Sequence, residues 1–309
     1  RTTPLGSRIA EVHNGSSLFT GDAGQGESNI RRWIIENDWL EAIVALPEKT
    51  FYNTGIATYI WLLSNRKSEE RRGKVQLIDA TGWYEPLRRN LGKKNCELSE
   101  EHIRRICDLI VHPVETEQSR IFPNEAFGYW KIVVERPLRL AADLGPERLQ
   151  QFEWACDKEK EAPLFHLTQR LATSIGEGPH MDFSTFMEAC EADARKHGVN
   201  LTAKRRKLLR SEVCDVREDA APVVKKMHKP GKATPDPIRG LFEIESDGKR
   251  SAVEYEPDTS LRDTEQIPLL EEGGIEAFFR REVLPYVPDA WIDEGKTQVG
   301  YEISFTKHF

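Results

Sequence analysis

The sequence predicts an α/β protein, in which part of a doubly wound sheet over residues 1 to about 95 is followed by a mixed, largely helical region from 96 to 309. Two observations carry that prediction. Three short runs, "LEAIVALP" (40–47), "ATYIWLLS" (57–64) and "KVQLIDAT" (74–81), are rich in β-branched and aliphatic residues without polar alternation, as interior strands covered on both faces are. Ahead of them lies a strand and then a segment of helical periodicity, and strand, helix, strand and hairpin-like return together describe one edge of such a sheet.

The elements follow in order. "SRIAEVHNGSSLF" supplies a first strand with Ile9 and Val12, and "TGDAGQGE" a glycine-rich turn. "SNIRRWIIEND" places Ile30, Trp33 and Ile34 at i, i+3 and i+4, which predicts a helix burying that face and ending near Asn37. "LSEEHIRRICDLIV" reads as a helix with Ser99 as N-cap, acids in its first turn, a stripe of Ile103, Ile106, Cys107 and Ile110, and a stop at His112-Pro113. "FGYWKIVVERPLRL" alternates like a strand. Residues 146 to about 222 read as helical, with Phe183, Phe186, Met187 and Cys190 on one face after Asp182 and a further helix from Leu201 to Glu218. "VVKKMHKPGKATPDP" (223–237) clusters Lys, Pro and Gly and reads as an exposed loop. A hairpin turning at Asp247-Gly248 and a helix from Ile275 to about Leu284, stopped by Pro285, complete the pass.

Composition excludes several classes. The chain has 309 residues, 39% hydrophobic, with no apolar run approaching the roughly 18 residues of a membrane span. A soluble, cytoplasmic protein is expected. Cys96, Cys107, Cys156, Cys190 and Cys214 are odd in number and lack C-x-x-C spacing, so neither a disulfide framework nor a zinc site is predicted. The histidines (13, 102, 112, 166, 180, 197, 228, 308) show no ligand spacing, and no metal is expected. A net charge of −7 argues against coating nucleic acid by overall basicity, while leaving room for a local patch.

Three stretches invite a functional reading. "GDAGQGE" (21–27) precedes a helix but is neither G-x-G-x-x-G nor a Walker loop, so it reads as a structural turn. "KRRKLLR" (204–210) and Lys225, Lys226, Lys229 and Lys232 are able to meet phosphates, but read more simply as a solvated helix face and a loop. The third is "IVALPEKTFYNTGIATYIWLLSNRK" (43–67), where two strands flank a turn carrying two aromatics. Phe51 and Tyr52 either plug the end of the sheet or offer their faces to a planar ligand such as an extruded base. The residues alone leave both open.

The passage from Gly6 to Lys67, "GSRIAEVHNGSSLFTGDAGQGESNIRRWIIENDWLEAIVALPEKTFYNTGIATYIWLLSNRK", closely resembles the later part of the catalytic domain in the modification (M) subunit of type I restriction-modification systems, a DNA adenine-N6 methyltransferase family. "GKVQLIDAT", "FGYWKIVVERPLRL", "VEYEPDTSLRDTEQIPL" and the stretch from Arg281 to Phe309 resemble that family's C-terminal region, with a more variable segment at about 146–235.

The resemblance implies a partial Rossmann-like fold that uses S-adenosylmethionine, with 1–95 as the C-terminal half of the catalytic domain and 96–309 as a region for subunit packing. It implies DNA as substrate, and a specificity subunit and a restriction subunit as partners. By the match of "LPEKTFYNTG", Phe51 stacks on the flipped adenine, while Tyr52, Asn53, Thr54 and Gly55 shape the same pocket. The amine would attack the sulfonium methyl in line, without a metal. The family's glycine-containing donor loop and Asn/Asp-Pro-Pro-aromatic motif have no counterpart, since the sequence holds no Pro-Pro pair and Asp236-Pro237 sits in another context. The chain therefore reads as a fragment that is inactive alone and has no catalytic residue of its own. Val12–Gly15 reads "VHNG" against the commoner "LPNG", so no role passes to His13. The alternative reading is a non-enzymatic assembly module bridging protein subunits and DNA.

Overall fold

The computed structural model describes residues 6–246 and 248–309. The first five residues and Asp247, half of the expected hairpin turn, lie outside the described residues. The chain divides into two compact units, one of residues 1–132, 265–279 and 296–309, the other of 133–264 and 280–295.

In the first unit, β1 (Arg8–Asn14) is followed by a one-turn helix α1 (Ser16–Phe19), α2 (Gly26–Glu36), β2 (Leu40–Leu46), β3 (Thr58–Ser64) and β4 (Lys74–Asp79). A ribbon of β5 (Glu85–Leu91) and β6 (Lys94–Glu97), helix α3 (Glu100–Val111) and β7 (Ser119–Pro123) come next. The sheet order is β1-β3-β2-β4-β7, with β2 and β4 parallel and the other neighbours antiparallel.

Both faces of that sheet are covered, as the unbroken apolar runs predict. Ile43, Ala45, Val75 and Leu77 pack with Ile35, Phe127, Tyr301, Ile303 and Phe305, while Val44, Leu46 and Ile78 pack with Trp83 and Ile106. Every residue of β2 is buried. β1, by contrast, pairs among the described residues only with β3, and Ile9 and Val12 are exposed.

The break in composition near 95 is not where the compact units part. Helix α3, β7 and the C-terminal tail join the first unit because Ile106 and Phe305 supply apolar cover that β2 and β4 lack by themselves. The first residues of β8 (Gly128–Glu135) pair in this unit with β16 (Gln298–Tyr301), and α8 (Gly274–Phe278) also lies here.

Helix α2 turns a different face inward from the one its apolar spacing predicts. Ile30 and Trp33 are exposed, while Ser28, Arg31 and Ile35 are buried. The reason is tertiary: Arg31 donates to the carbonyls of Tyr301 (2.7 Å), Ser17 (3.0 Å) and Thr20 (2.8 Å), which turns a charge into a fixed part of the interior.

Helix α3 has the expected Ser99 cap, closed reciprocally by His102, and ends at His112. Of its stripe only Ile106 is buried; Ile103 and Cys107 face solvent.

The second unit is the helical region. β9 (Leu140–Ala142) leads into α4 (Pro146–Glu159), α5 (Ala162–Ile175), α6 (Phe183–Lys196), capped by Asp182, and α7 (Ala203–Val213), which enclose one core around Phe152, Leu164, Phe186 and Cys190. The helix expected to reach Glu218 stops at Val213, where β10 (Cys214–Val216) turns back onto β9. The stretch 223–237 is not all loop: β11 (Val224–Met227) pairs with β13 (Lys249–Tyr255), which pairs with β12 (Phe242–Ser246) in the expected hairpin. The strands β14 (Asp263–Pro268) and β15 (Trp291–Ile292) complete the elements, and the end of β8 pairs with β15. No helix among the described residues is long and apolar enough to cross a membrane.

Candidate functional site

The aromatic turn sits where the parallel strands end. β2 runs out at Leu46 and its partner β4 at Asp79, and the loop 47–57 rises from this carboxyl edge, the side of an α/β sheet on which ligands bind.

The loop has a built interior and an exposed crest. Thr50 donates its hydroxyl to the Pro47 carbonyl at 2.7 Å, and Thr54 N–H donates to the Phe51 carbonyl at 3.2 Å, which closes a turn over Phe51–Thr54. Asn53 takes the left-handed conformation at φ 54°, which asparagine tolerates better than most residues. The turn leaves Phe51 38% and Tyr52 68% exposed. Gly55 is half-buried, and a side chain there would touch only Lys93 Cδ, at 3.7 Å, so close approach to another group does not require glycine at 55.

The β5–β6 ribbon buttresses this loop. Asn95 N–H donates to the Lys49 carbonyl at 3.2 Å, and the buried Cys96 thiol to the Glu48 carbonyl at 3.1 Å. At the ribbon tip, Gly92 (φ 61°) meets Tyr52 and Asn53. Beneath the loop, burial and the carboxylates of Asp79 and Glu48 push the Tyr59 phenol above its ordinary pKa, so that it stays a neutral donor at the sheet's end. Asp79 itself accepts from the N–H and hydroxyl of Thr81.

The other stretches have structural uses. The turn at 21–27 offers no open cradle, because a Cβ on Gly24 would fall 2.7 Å from Gln298 Oε1, and one on Gly21 2.8 Å from Glu27 Oε2. Four of the five cations on α7 are paired: Lys204 with Glu159, Arg205 with Glu161, Arg206 with Glu191 and Arg210 with Glu256. Lys225 and Lys226 face Glu254. No group of His, Cys, Asp or Glu among the described residues is arranged to hold a metal. The thiols of Cys190 and Cys214 are pushed up to about 12 by burial, and that of Cys156 to about 11, which leaves them protonated and inert.

Sequence reasoning missed the ribbon. Its cations, Arg88, Arg89, Lys93 and Lys94, form no contiguous run, and the register shift between Pro86 and Leu91 breaks the strand alternation that would have marked it.

The geometry can be set beside known proteins. Residues 2–127 match the model of the N-6 DNA Methylase family. The expected resemblance is thus borne out for the segment that carries the sheet and the aromatic loop. Over 107 residues the chain is 37% identical to the type I restriction enzyme MjaIX methylase subunit of Methanocaldococcus jannaschii, a match covering 35% of this chain and 18% of that protein. Over 73 residues it is 46% identical to the type I restriction enzyme HindI methylase subunit of Haemophilus influenzae, covering 24% of this chain and 16% of that one. Each match spans under a fifth of the relative's length. A solved type I restriction-modification methyltransferase subunit from Streptococcus thermophilus overlaps 39% of this chain and 24% of its own, at 24% identity and a TM-score of 0.33.

The methyl donor that this family implies finds no fitting residues here. The glycine-rich turn at 21–27 is filled by its own neighbours, Gln298 and Glu27, so no residue of this chain is assigned to S-adenosylmethionine.

Proposed function

We propose that this chain is part of the modification subunit of a type I restriction-modification system, in which a methyl group passes from S-adenosylmethionine to adenine N6 within a specific DNA sequence. The observation that carries this reading is the exposed Phe51–Tyr52 crest at the carboxyl edge of β2 and β4, inside the segment that matches the methylase family. A ring held there can stack on an extruded base, which is how enzymes that modify bases reach their target. Phe51 would take the face of the adenine; Tyr52, Asn53, Thr54 and Gly55 would shape the pocket wall; the ribbon behind them would hold the wall in place. Binding the donor and gripping the amine fall to residues outside these 309, so the chain alone is inactive. DNA, a specificity subunit and a restriction subunit are the proposed partners, with 1–95 serving the catalytic domain and 96–309 subunit packing in the cytoplasm.

The test is transfer of labelled methyl from S-adenosylmethionine to DNA by the protein at its natural length with its specificity partner, followed by identification of the modified base. N6-methyladenine supports the reading. A folded complex that binds DNA without transferring a methyl group would move the assignment to the non-enzymatic assembly module.

A further inference from the structure

The basic run of α7 and the cations of the β5–β6 ribbon differ in their partners. Four of the five cations of α7 are held by a carboxylate, Lys204 at 2.9 Å from Glu159 and Arg210 at 2.8 Å from Glu256 among them. Those of the β5–β6 ribbon are not: among the described residues, Arg88, Arg89, Lys93 and Lys94 form no ion pair. Arg88, Arg89 and Lys93 are exposed and Lys94 is half-buried. Charge is also segregated along the ribbon, since its two acids, Glu85 and Glu97, face each other at the base while the cations lie toward the tip. On a chain of net charge −7, four unpaired cations on one short ribbon form a local anion-binding surface.

That surface is joined to the aromatic crest. The two hydrogen bonds from Asn95 and Cys96 tie the ribbon to the backbone of the loop, and Gly92 brings its tip against Tyr52 and Asn53. Lys93 Cδ stands 3.7 Å from where a Cβ on Gly55 would lie. Cations and exposed rings thus lie on a ribbon and a loop that touch within one compact unit, the pairing that single nucleic-acid strands require: positive groups for phosphates and π-faces for bases. An acidic protein partner would satisfy the cations but leave the rings without purpose.

We infer that the β5–β6 ribbon is a DNA-backbone grip, in which Arg88, Arg89, Lys93 and Lys94 neutralise phosphates flanking the nucleotide received by the Phe51–Tyr52 crest. The inference rests on the proposed function in taking DNA as the ligand. The grip carries no sequence information, because phosphates are alike along the strand.

The experiment is binding of a fluorescent DNA duplex across a KCl series by the protein at its natural length with its partner subunits. The double variant Lys93→Ala/Lys94→Ala should weaken binding about tenfold and flatten the plot of log affinity against log salt by about 0.9 for each phosphate no longer neutralised, on cognate and unrelated duplexes alike. Lys93→Arg/Lys94→Arg should restore both. Arg88→Gln/Arg89→Gln gives a second reading should the lysine variant melt early. An unchanged slope in both pairs overturns the inference, as does unchanged DNA binding with loss of a co-purifying protein. Methyl transfer separates the two proposals: N6-methyladenine formed with an unchanged slope sinks the ribbon grip alone, whereas ribbon-dependent DNA binding without methyl transfer sinks the enzyme reading alone.

Discussion

A Cβ added to Gly92 would lie 2.3 Å from Asn53 Oδ1 and 3.1 Å from Tyr52 Cε2, so the ribbon tip and the aromatic loop meet at a point that only glycine permits. Its φ of 61° points the same way. Gly92→Ala therefore adds left-handed backbone strain of roughly 1 kcal/mol and forces the Asn53 amide and the Tyr52 ring to shift. The expected outcome is a small fall in melting temperature with a larger fall in methyl transfer. Equal rates for the two proteins would show that the loop does not need its buttress.

Phe51 is the residue on which the proposed pocket turns. Stacking of one base on an aromatic is worth roughly 1–3 kcal/mol when measured by alanine substitution, so Phe51→Ala in the full-length subunit should lower kcat/KM for methyl transfer by about ten- to a hundredfold. Donor binding, measured by titration calorimetry, should be largely kept. Unchanged turnover would remove Phe51 from the site.

Arg31 tests the interior of the first unit. It is 2% exposed, and burial drives its pKa down, yet a guanidinium remains charged in proteins and here donates to four carbonyls, those of Tyr301, Ser17, Thr20 and Gly21. Arg31→Met keeps much of the volume and leaves the buried Tyr301 carbonyl with only the Ser28 hydroxyl at 3.5 Å. A loss of about 3 kcal/mol follows from the strength of charged hydrogen bonds and the cost of a poorly satisfied carbonyl. The urea midpoint checks it, and a shift worth less than about 1 kcal/mol would contradict the account.

What the sequence disclosed follows from how local each cause is. The strands β2 and β4 are legible because burial on both faces demands continuous apolar side chains, and the cap at Ser99 because one side chain meets one nearby amide. The buried face of α2 was not legible. Arg31 lies inside only because the Tyr301 carbonyl, 270 positions away, accepts from it, and no periodicity within the helix encodes that. The ends of α7 and of the stretch 223–237 failed alike, since β10 and β11 exist through pairing with β9 and β13. At the candidate site the aromatic pair stood out as residue types in an odd place, whereas the ribbon that supports it became visible only where Gly92, Asn95 and Cys96 meet the loop.

The last prediction concerns pH and the pair Lys67–Asp38. The Lys67 side chain is 1% exposed and donates to Asp38 Oδ1 at 2.6 Å and to the Lys74 carbonyl at 2.7 Å. Burial raises the Asp38 carboxyl, but hydrogen bonds from Lys67, Asn124 and Gly73 outweigh it, and its pKa ends below the ordinary aspartate value. For Lys67 burial wins over the pairing, and its pKa is lowered as well. The two shifts act at opposite ends of the pH scale. As pH falls through about 4, the unfolded chain takes up the Asp38 proton before the folded one does, so stability present at neutral pH is lost there. On the alkaline side the unfolded chain holds the Lys67 proton longer, so stability rises with pH between the lowered folded value and the ordinary lysine value. Asp38 has φ 57°, which asparagine also adopts, so Asp38→Asn removes the charge without new backbone strain. The variant should be less stable at neutral pH, should lose part of the acid-side decline, and should gain more on alkalinisation, because its buried amine has lost its counter-charge. Urea midpoints measured from acid to alkaline pH for both proteins decide it; parallel curves would mean that the Lys67–Asp38 pair contributes no proton linkage.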